Sequence, residues 1–257
     1  VLTSIRFVLF AALLLAVYYA VPQQQRWWVL LAGSLCFYAL AGLKNVIYIL
    51  ITAASTYLAA RGMQTLSARQ KARFKADPPR SKEEKAACKA KTASRRRAIL
   101  VLTLVLNFGI LCGFKYAAFA LAQVSGLVRL FGGEGFSGAL HLIVPLGISI
   151  YTFQTMGYLI DVYWKKVEAQ PNFAKLLLFV SFFPQITQGP ISDYAQLSEQ
   201  LFTPHTYSYD AFKSGGIRMI WGFAKKLILA DLLAPWVADV FANYESYAGI
   251  TVLIGAF

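Results

Sequence analysis

The stretch that decides the fold reads Ala98-Ile-Leu-Val-Leu-Thr-Leu-Val-Leu-Asn-Phe-Gly-Ile-Leu-Cys-Gly-Phe114, and none of its seventeen residues carries a charge. A helix that spans a bilayer needs roughly 20 mostly apolar residues, with a lower limit of about 17. Further apolar runs occupy Phe7–Val21, Trp27–Leu43 and Val46–Ala60, the last two separated only by Lys44-Asn45. The chain is 58% hydrophobic with a mean hydropathy of +0.53, more than a soluble core can bury. We therefore predict an all-α, polytopic helical membrane protein.

The charges are concentrated in one segment on the N-terminal side of this stretch, from Arg61 to Arg97. It contains thirteen basic and three acidic residues, so it carries +10 of the chain's net charge of +13. Short basic loops between apolar runs stay in the cytoplasm, which places this loop inside and, after three crossings, the N-terminus outside. Since the charge is confined to one such loop, no nucleic-acid partner is expected.

The basic loop is expected to contain one short helix. Pro78-Pro79 interrupts the chain, and Ser81 then stands three residues before Glu84, which is the spacing of a capping box. The helix that follows, Lys82–Arg97, is polar on every side, so it is not a core helix. A solvated topological anchor explains it most simply. The functional alternative is contact with anionic lipid headgroups, worth about 1 kcal/mol per basic residue near the surface.

The path of the chain after this span has two readings. Lys115–Phe131 is apolar but charged near both ends, so it is either another span or a helix in the membrane interface, and we prefer the interfacial helix. Leu140–Ile160 would then run inward and leave Lys165 and Lys166 in the cytoplasm. Gly216–Val240 is predicted to be a further span.

These assignments divide the chain into three parts. N-terminal transmembrane helices occupy residues 1–60, the basic cytoplasmic loop residues 61–97, and a membrane core residues 98–257. The first residue is not methionine, and the last apolar run stops at Phe257. We therefore expect the sequence to be a fragment whose membrane core is cut at its C-terminal end.

A broken or re-entrant helix is predicted where the apolar run Lys175–Gln188 contains Pro184 and is followed by Gly189-Pro190. Freed backbone groups are tolerated at membrane depth only inside protein or beside a wet cavity, and polar side chains there often mark a substrate path. Helix–helix packing with a kink is the simpler alternative. The substrate-path candidates are Gln154, Asp161, Pro184, Gln185, Gln188, Gly189 and Pro190. Asp161 is also expected to pair with Lys165.

The same region resembles a known family. The motifs are Val144-Pro-Leu-Gly-Ile-Ser-Ile-Tyr-Thr-Phe-Gln154, Ile160-Asp-Val-Tyr163, Phe182-Phe-Pro-Gln185 and Gln188-Gly-Pro-Ile191, and a looser likeness continues through Arg218–Ala230. In this order and spacing they are similar to the membrane-bound O-acyltransferases. The most similar branch is the bacterial one that contains the alginate O-acetylation protein and the teichoic acid D-alanyl transfer protein, and the likeness covers the N-terminal portion of such proteins.

The resemblance implies an O-acyltransferase in the bacterial cytoplasmic (inner) membrane. Such enzymes pass an acyl group, acetyl or D-alanyl, from a cytoplasmic thioester donor or acyl carrier protein to a hydroxyl of an extracytoplasmic polysaccharide or other polymer. No cofactor is implied. Two readings from other classes stay open: a transporter or channel would show paired broken helices, and a non-catalytic membrane scaffold would have no catalytic histidine.

The histidines do not match the catalytic position that the family implies. The chain has two, His141 at the start of an apolar run and His205 in a turn-rich segment. We therefore expect the catalytic histidine to lie beyond Phe257. The three cysteines form no CxxC or Cys/His pattern, so neither a metal site nor a disulfide framework is expected.

Overall fold

The computed structural model describes residues 5–77, 81–130, 145–186 and 189–256. Every regular element in these ranges is a helix, which confirms the predicted all-α fold. Two of the helices, Leu43–Ala76 and Lys82–Ala117, are long and apolar enough to cross a bilayer. The chain forms two compact units, residues 12–204 and residues 205–257 with 1–11.

The N-terminal apolar runs form three successive helices. These are α1 (Ile5–Ala20), α2 (Arg26–Leu40) and α3 (Leu43–Ala76), with a single 3₁₀ turn before α2. The linker predicted at Lys44-Asn45 is wrong by two or three residues, because the chain turns at Gly42 instead, where φ is +128°. Only glycine adopts this angle without strain.

Helix α4 (Lys82–Leu130) is a single 49-residue helix, about 74 Å long at 1.5 Å per residue. The interfacial helix predicted at Lys115–Phe131 is therefore not a separate element. The physical reason is that residues 98–130 contain no proline, and isolated glycines such as Gly109 and Gly113 cost only about 1 kcal/mol each in a helix.

The basic loop is in fact a helical hairpin, named here the basic arm: residues 61–76 of α3 and 82–97 of α4. The prediction of a helix from Lys82 is confirmed, and its cap forms, since the Glu84 N–H donates to Ser81 Oγ at 3.1 Å. The helical first half was not predicted. Its Arg, Lys, Gln, Ala, Met and Leu residues favour a helix whatever their charge.

Polar side chains join α3 to α4 inside the apolar core. Ser55 Oγ donates to Asn107 Oδ1 at 3.0 Å, and Asn107 Nδ2 lies 3.5 Å from Thr56 Oγ1. Asn107 is 1% exposed. Hydrogen bonds between helices in a membrane average about 0.6 kcal/mol, so this cluster sets the register of the two helices more than it stabilises them.

Helix α5 (Ile148–Tyr163) packs against both α3 and α4. The span predicted at Leu140–Ile160 begins later than expected, because Pro145 and the turn at Gly147 precede the helix; residues 140–144 lie outside the described ranges. Gly147 has φ +71°, and a Cβ there would lie 2.9 Å from the Ile186 carbonyl oxygen. No other residue type fits this turn.

The C-terminal end of α5 is held by a side chain from the basic arm. The Arg96 guanidinium Nη2 donates to the carbonyl oxygens of Val162 at 3.1 Å and Tyr163 at 2.6 Å. These are carbonyls that a helix end leaves without an intrahelical donor, and a positive charge there complements the helix dipole. The basic arm and the end of α5 therefore lie on the same side of the membrane core.

The predicted broken helix is present. Helix α6 (Phe173–Ser181) ends before Phe182, and a single turn, α7 (Phe183–Ile186), follows with Pro184 in it. Residues 189–193, called the extended segment here because they form no helix, precede α8 (Tyr194–Phe202). Helix α6 packs against α2 and α3, so the break lies inside the bundle.

The second unit contains the remaining helices. They are α9 (Tyr209–Ala224), a π-helical turn (Lys225–Ala230), α10 (Asp231–Ala242) and α11 (Gly249–Ala256). The predicted span Gly216–Val240 lies in this run, but the helix begins earlier, where Ser208 Oγ accepts from the Ala211 N–H. Lys226 pairs with Asp231 across the π turn.

We predict that Gly147→Ala destabilises the protein, because the substitution forces a left-handed backbone angle and a contact with Ile186. The expected loss is about 1–3 kcal/mol, seen as a lower unfolding temperature of the protein purified in detergent. Gly109→Ala is the matched control, since a Cβ there meets nothing within 4 Å. Equal unfolding temperatures for the two variants would contradict this account of the turn.

Candidate functional site

The site is built around the break between α6 and α7. In an unbroken helix the Phe183 N–H would donate to the Phe179 carbonyl, four residues back. Here the Phe183 N–H donates to Ser34 Oγ of α2 at 3.4 Å, and the Phe179 carbonyl accepts from Gln154 Nε2 of α5 at 3.2 Å. Side chains from two neighbouring helices therefore satisfy backbone groups that the break leaves open.

Gln154 also begins a chain of polar contacts. Its Nε2 lies 3.4 Å from Gln185 Oε1, and Gln185 Nε2 donates to Ser192 Oγ at 2.7 Å. Gln154 is 2% exposed. The chain of contacts thus runs from a buried amide on α5, through α7, to a hydroxyl on the extended segment.

Gly189 allows the extended segment to lie close to α7. Its N–H donates to the Gln185 carbonyl at 2.7 Å, and a Cβ at this position would lie 2.8 Å from the same oxygen. A side chain would push residues 189–192 away and move Ser192 off Gln185. Glycine is therefore required at position 189 because a side chain there has no room beside Gln185.

A cavity of 420 Å³ adjoins this chain of contacts. This volume is in the range of about 300–1,000 Å³ found for small-molecule sites. The residues that line it come from α5, the extended segment and α8: Gln154, Gly157, Tyr158, Pro190, Ile191, Ser192, Asp193, Tyr194 and Gln196. It can therefore hold a compact acyl group with part of its carrier.

One wall of the cavity is held by two tyrosines and a glutamine. Tyr158 Oη accepts from the Gln170 N–H at 2.8 Å, and Gln170 Nε2 donates to Tyr194 Oη at 2.8 Å. The two rings lie 4.6 Å apart. Burial raises the pKa of the Tyr194 phenol above its usual value, so this hydroxyl stays protonated at neutral pH.

The chemistry of these groups limits what they can do. Amides and hydroxyls do not exchange a proton near pH 7, so Gln154, Gln185 and Ser192 are suited to orienting a polar group by hydrogen bonds. Such bonds are stronger in a site of low dielectric constant than in water. These three side chains can bind and align a carbonyl or hydroxyl, while proton transfer requires another group.

The predicted site residues fall into three groups. Gln154 and Pro190 line the cavity, Gln185 and Gly189 lie beside it, joined to it by hydrogen bonds, and Pro184 is in the single turn of α7. Asp161 lies apart, near the C-terminal end of α5. Gln188 and His141 are outside the described residues.

The pairing predicted for Asp161 with Lys165 is wrong. Asp161 lies 3.7 Å from Lys166 Nζ instead. Lys165 has φ +62° and the Lys166 N–H donates to the Asp161 carbonyl, which together form the Schellman ending of a helix. The left-handed turn carries Lys165 away and brings Lys166 back over the last turn of α5.

Sequence reasoning did not identify Tyr158, Gln170, Ser192 or Tyr194. The signal for Tyr158 is its position one turn after Gln154 on the same helix face. Ser192 follows Pro190 by two residues, but nothing local indicates that it reaches Gln185. Gln170 and Tyr194 are joined only by the tertiary fold.

The remaining candidate groups belong to the second unit. Lys225 and Lys226 occupy the π-helical turn, where Lys225 lies over the Trp221 ring at 5.5 Å and Lys226 pairs with Asp231. π-helical turns occur often at functional sites. His205 lies between α8 and α9, so this histidine belongs to a connecting segment.

The geometry defines a class: a helical membrane protein with a small, partly open cavity beside a broken helix, lined in part by the buried amide of Gln154. The chain is 30% identical over 246 residues to a protein of Azotobacter vinelandii named probable alginate O-acetylase AlgI, a match of 94% of this chain and 43% of that protein. It is 35% identical over 150 residues to the Pseudomonas aeruginosa protein of the same name, covering 58% of this chain and 28% of that protein.

A peptidoglycan O-acetyltransferase of Helicobacter pylori is 29% identical over 182 residues, covering 60% of this chain and 33% of that protein. The chain thus spans less than half the length of these curated relatives. They confirm the resemblance to the polymer-acetylating branch of the membrane-bound O-acyltransferases. No family model matches the chain, and no solved structure matches it.

We predict that Gln154→Met lowers the thermal stability of the protein. Methionine fills the space but leaves the Phe179 carbonyl buried without its donor, a cost of about 1–3 kcal/mol. Thermal unfolding in detergent measures the effect. Gln123→Met on the exposed face of α4 is the control. If the Gln154→Met variant is as stable as this control, the Phe179 carbonyl at the break needs no hydrogen-bond donor.

Proposed function

We propose that the chain forms part of a membrane-embedded O-acyltransferase. The enzyme passes an acyl group, acetyl in the simplest case, from a cytoplasmic thioester donor to a hydroxyl of an extracytoplasmic polysaccharide or peptidoglycan. One observation carries the proposal: a cavity whose lining includes the buried amide of Gln154 and the hydroxyl of Ser192 lies beside the broken helix of a chain similar to O-acetylases.

The reaction makes two demands on the protein. The acceptor oxygen attacks the thioester carbonyl, the carbon–sulfur bond breaks, and the sulfur leaves as a thiolate, which takes up the proton that the general base has accepted. The proton of the acceptor hydroxyl goes to a general base, for which the family resemblance implies a histidine that we expect beyond Phe257. The protein must also stabilise the negative oxygen that develops on the carbonyl.

The residues of the cavity suit binding and alignment. Gln185 Nε2 gives one N–H to Ser192 and keeps a second for a ligand, while Gln154, whose two N–H groups go to the Phe179 carbonyl and to Gln185, holds Gln185 in place. Fixed donors cost little reorganisation when charge develops. The apolar rings of Tyr158 and Tyr194 form one wall against which the acyl group can pack, and this partial shielding from water favours transfer over hydrolysis.

The position of the cavity supports delivery of the donor from the cytoplasm. Tyr158 lies one turn before the end of α5 that Arg96 of the basic arm caps. The arm carries most of the net positive charge, and the positive-inside rule assigns such a segment to the cytoplasm. The thioester would therefore enter beside the arm, and the acceptor would approach from the other side of the membrane.

We predict that Ser192→Cys, in the full-length protein with Cys88→Ala, reacts with a membrane-impermeant maleimide added from the cytoplasmic side. An acetyl thioester donor that occupies the cavity should slow this labelling severalfold. Ser198→Cys on α8, outside the cavity lining, is the control whose labelling the donor should leave unchanged. Labelling of Ser192→Cys from the outer side alone would overturn the proposed direction.

Loss of acetylation tests the reaction itself. Gln185→Met removes the donor to Ser192 and is expected to lower polymer O-acetylation in intact cells by roughly tenfold to a hundredfold. The amount of inserted protein is measured in parallel by immunoblot. Full acetylation at wild-type protein levels would exclude Gln185 from binding or alignment.

A further inference from the structure

The basic arm projects away from the apolar core along the axes of two membrane helices. Helix α3 is continuous from Leu43 to Ala76 and α4 from Lys82 through its uncharged stretch. Each half of the arm has sixteen residues, about 24 Å at 1.5 Å per residue. The two helices pack against each other, so the arm is a stiff hairpin.

The outer part of the arm is densely and openly charged. The described cations between residues 69 and 91 are all exposed and, within the described part of the chain, form no ion pair: Arg69, Lys71, Arg73, Lys75, Lys82, Lys85, Lys89 and Lys91. Asp77, Glu83 and Glu84 are the acids of the same stretch. Cations closely spaced on a stiff support repel one another, so this surface gains from an anionic partner.

A hairpin that continues the axes of two membrane-spanning helices would carry its outer cations away from the lipid surface. The headgroup layer is only about 5–8 Å deep on each side of the hydrocarbon core, so roughly 16–19 Å of the arm extends past it. The potential of anionic lipids falls off within a Debye length, about 8 Å at physiological salt. Near the tip it would have fallen to roughly a tenth of its surface value, so lipid headgroups would partner the base of the arm and leave the cations near its tip without a partner.

The base of the arm adjoins the cavity through described contacts. Arg96 caps α5 just beyond Tyr158. On the α3 side, Tyr57, one turn before the arm begins, donates to the Pro171 carbonyl at 2.8 Å, next to the Gln170 that holds the cavity wall. A partner seated on the arm is thus held next to the entrance of the site.

We propose that the basic arm is the docking surface for an acidic soluble protein that carries the acyl group as a thioester. The inference rests on the proposed function. A small anionic thioester that reached the cavity would leave the distal cations without a contact, whereas a protein surface covers the whole length of the arm. Complementary charge then raises the association rate and sets the orientation of the carrier.

The test uses the full-length protein in nanodiscs of phosphatidylcholine with phosphatidylglycerol, with acetyl-loaded acyl carrier protein of fatty-acid synthesis as the probe. The variant is Lys71→Gln, Lys75→Gln, Lys82→Gln and Lys85→Gln together, which keeps the basic residues beside the membrane and hence the topology. We expect a Kd roughly tenfold weaker and a weaker dependence of Kd on salt. Lysine to arginine at the same four positions is the control and should keep the wild-type Kd.

Each alternative has its own outcome. An unchanged Kd in the glutamine variant overturns the docking surface. So does transfer from an acetyl coenzyme A thioester alone, or a fall in bound phosphatidylglycerol, counted by mass spectrometry, without a change in Kd. Polymer acetylation is measured separately. If the carrier binds but no acetyl group is transferred to the polymer, the docking surface stands and the proposed function is overturned. If transfer by the glutamine variant is undiminished at a limiting concentration of carrier, the docking surface is overturned and the proposed function stands.

Discussion

The structure depends on how backbone groups are satisfied where a helix is broken inside an apolar bundle. The break at Phe182 separates the Phe183 N–H from the Phe179 carbonyl, and each takes a side-chain partner from a different helix. An unpaired amide or carbonyl costs several kcal/mol in hydrocarbon. The helices α2, α5 and α6 are therefore held around the break, and the cavity lies where their polar side chains meet.

The same constraint explains why binding groups and packing groups are the same residues here. Gln154 satisfies a carbonyl and also lines the cavity. Gln185 lies between Gln154 and Ser192, so its rotamer is set from both sides. A site whose polar atoms already serve the fold is rigid before a ligand arrives, which is the condition for alignment without reorganisation.

Sequence reasoning was accurate where the signal was local. Apolar run length located α1 and α2 to within a few residues, and Pro184 with Gly189-Pro190 located the break. It failed where charge does not indicate backbone conformation. The residues from 61 to 76 were predicted to be a loop because of their charges, but they are strong helix formers and form a helix. It also failed where one backbone angle decides, as at Lys165, and where a contact is long-range, as between Gln185 and Ser192.

The cap that Arg96 places on α5 has a consequence for assembly. A chain is made from its N-terminus, so the segments that form the hairpin of α3 and α4 leave the ribosome before α5. The last turn of α5 then meets a guanidinium already in position. The first helix of the site thus receives its register from a segment that inserted before it. A shortened arm would have to keep Arg96 for this cap on α5 to form.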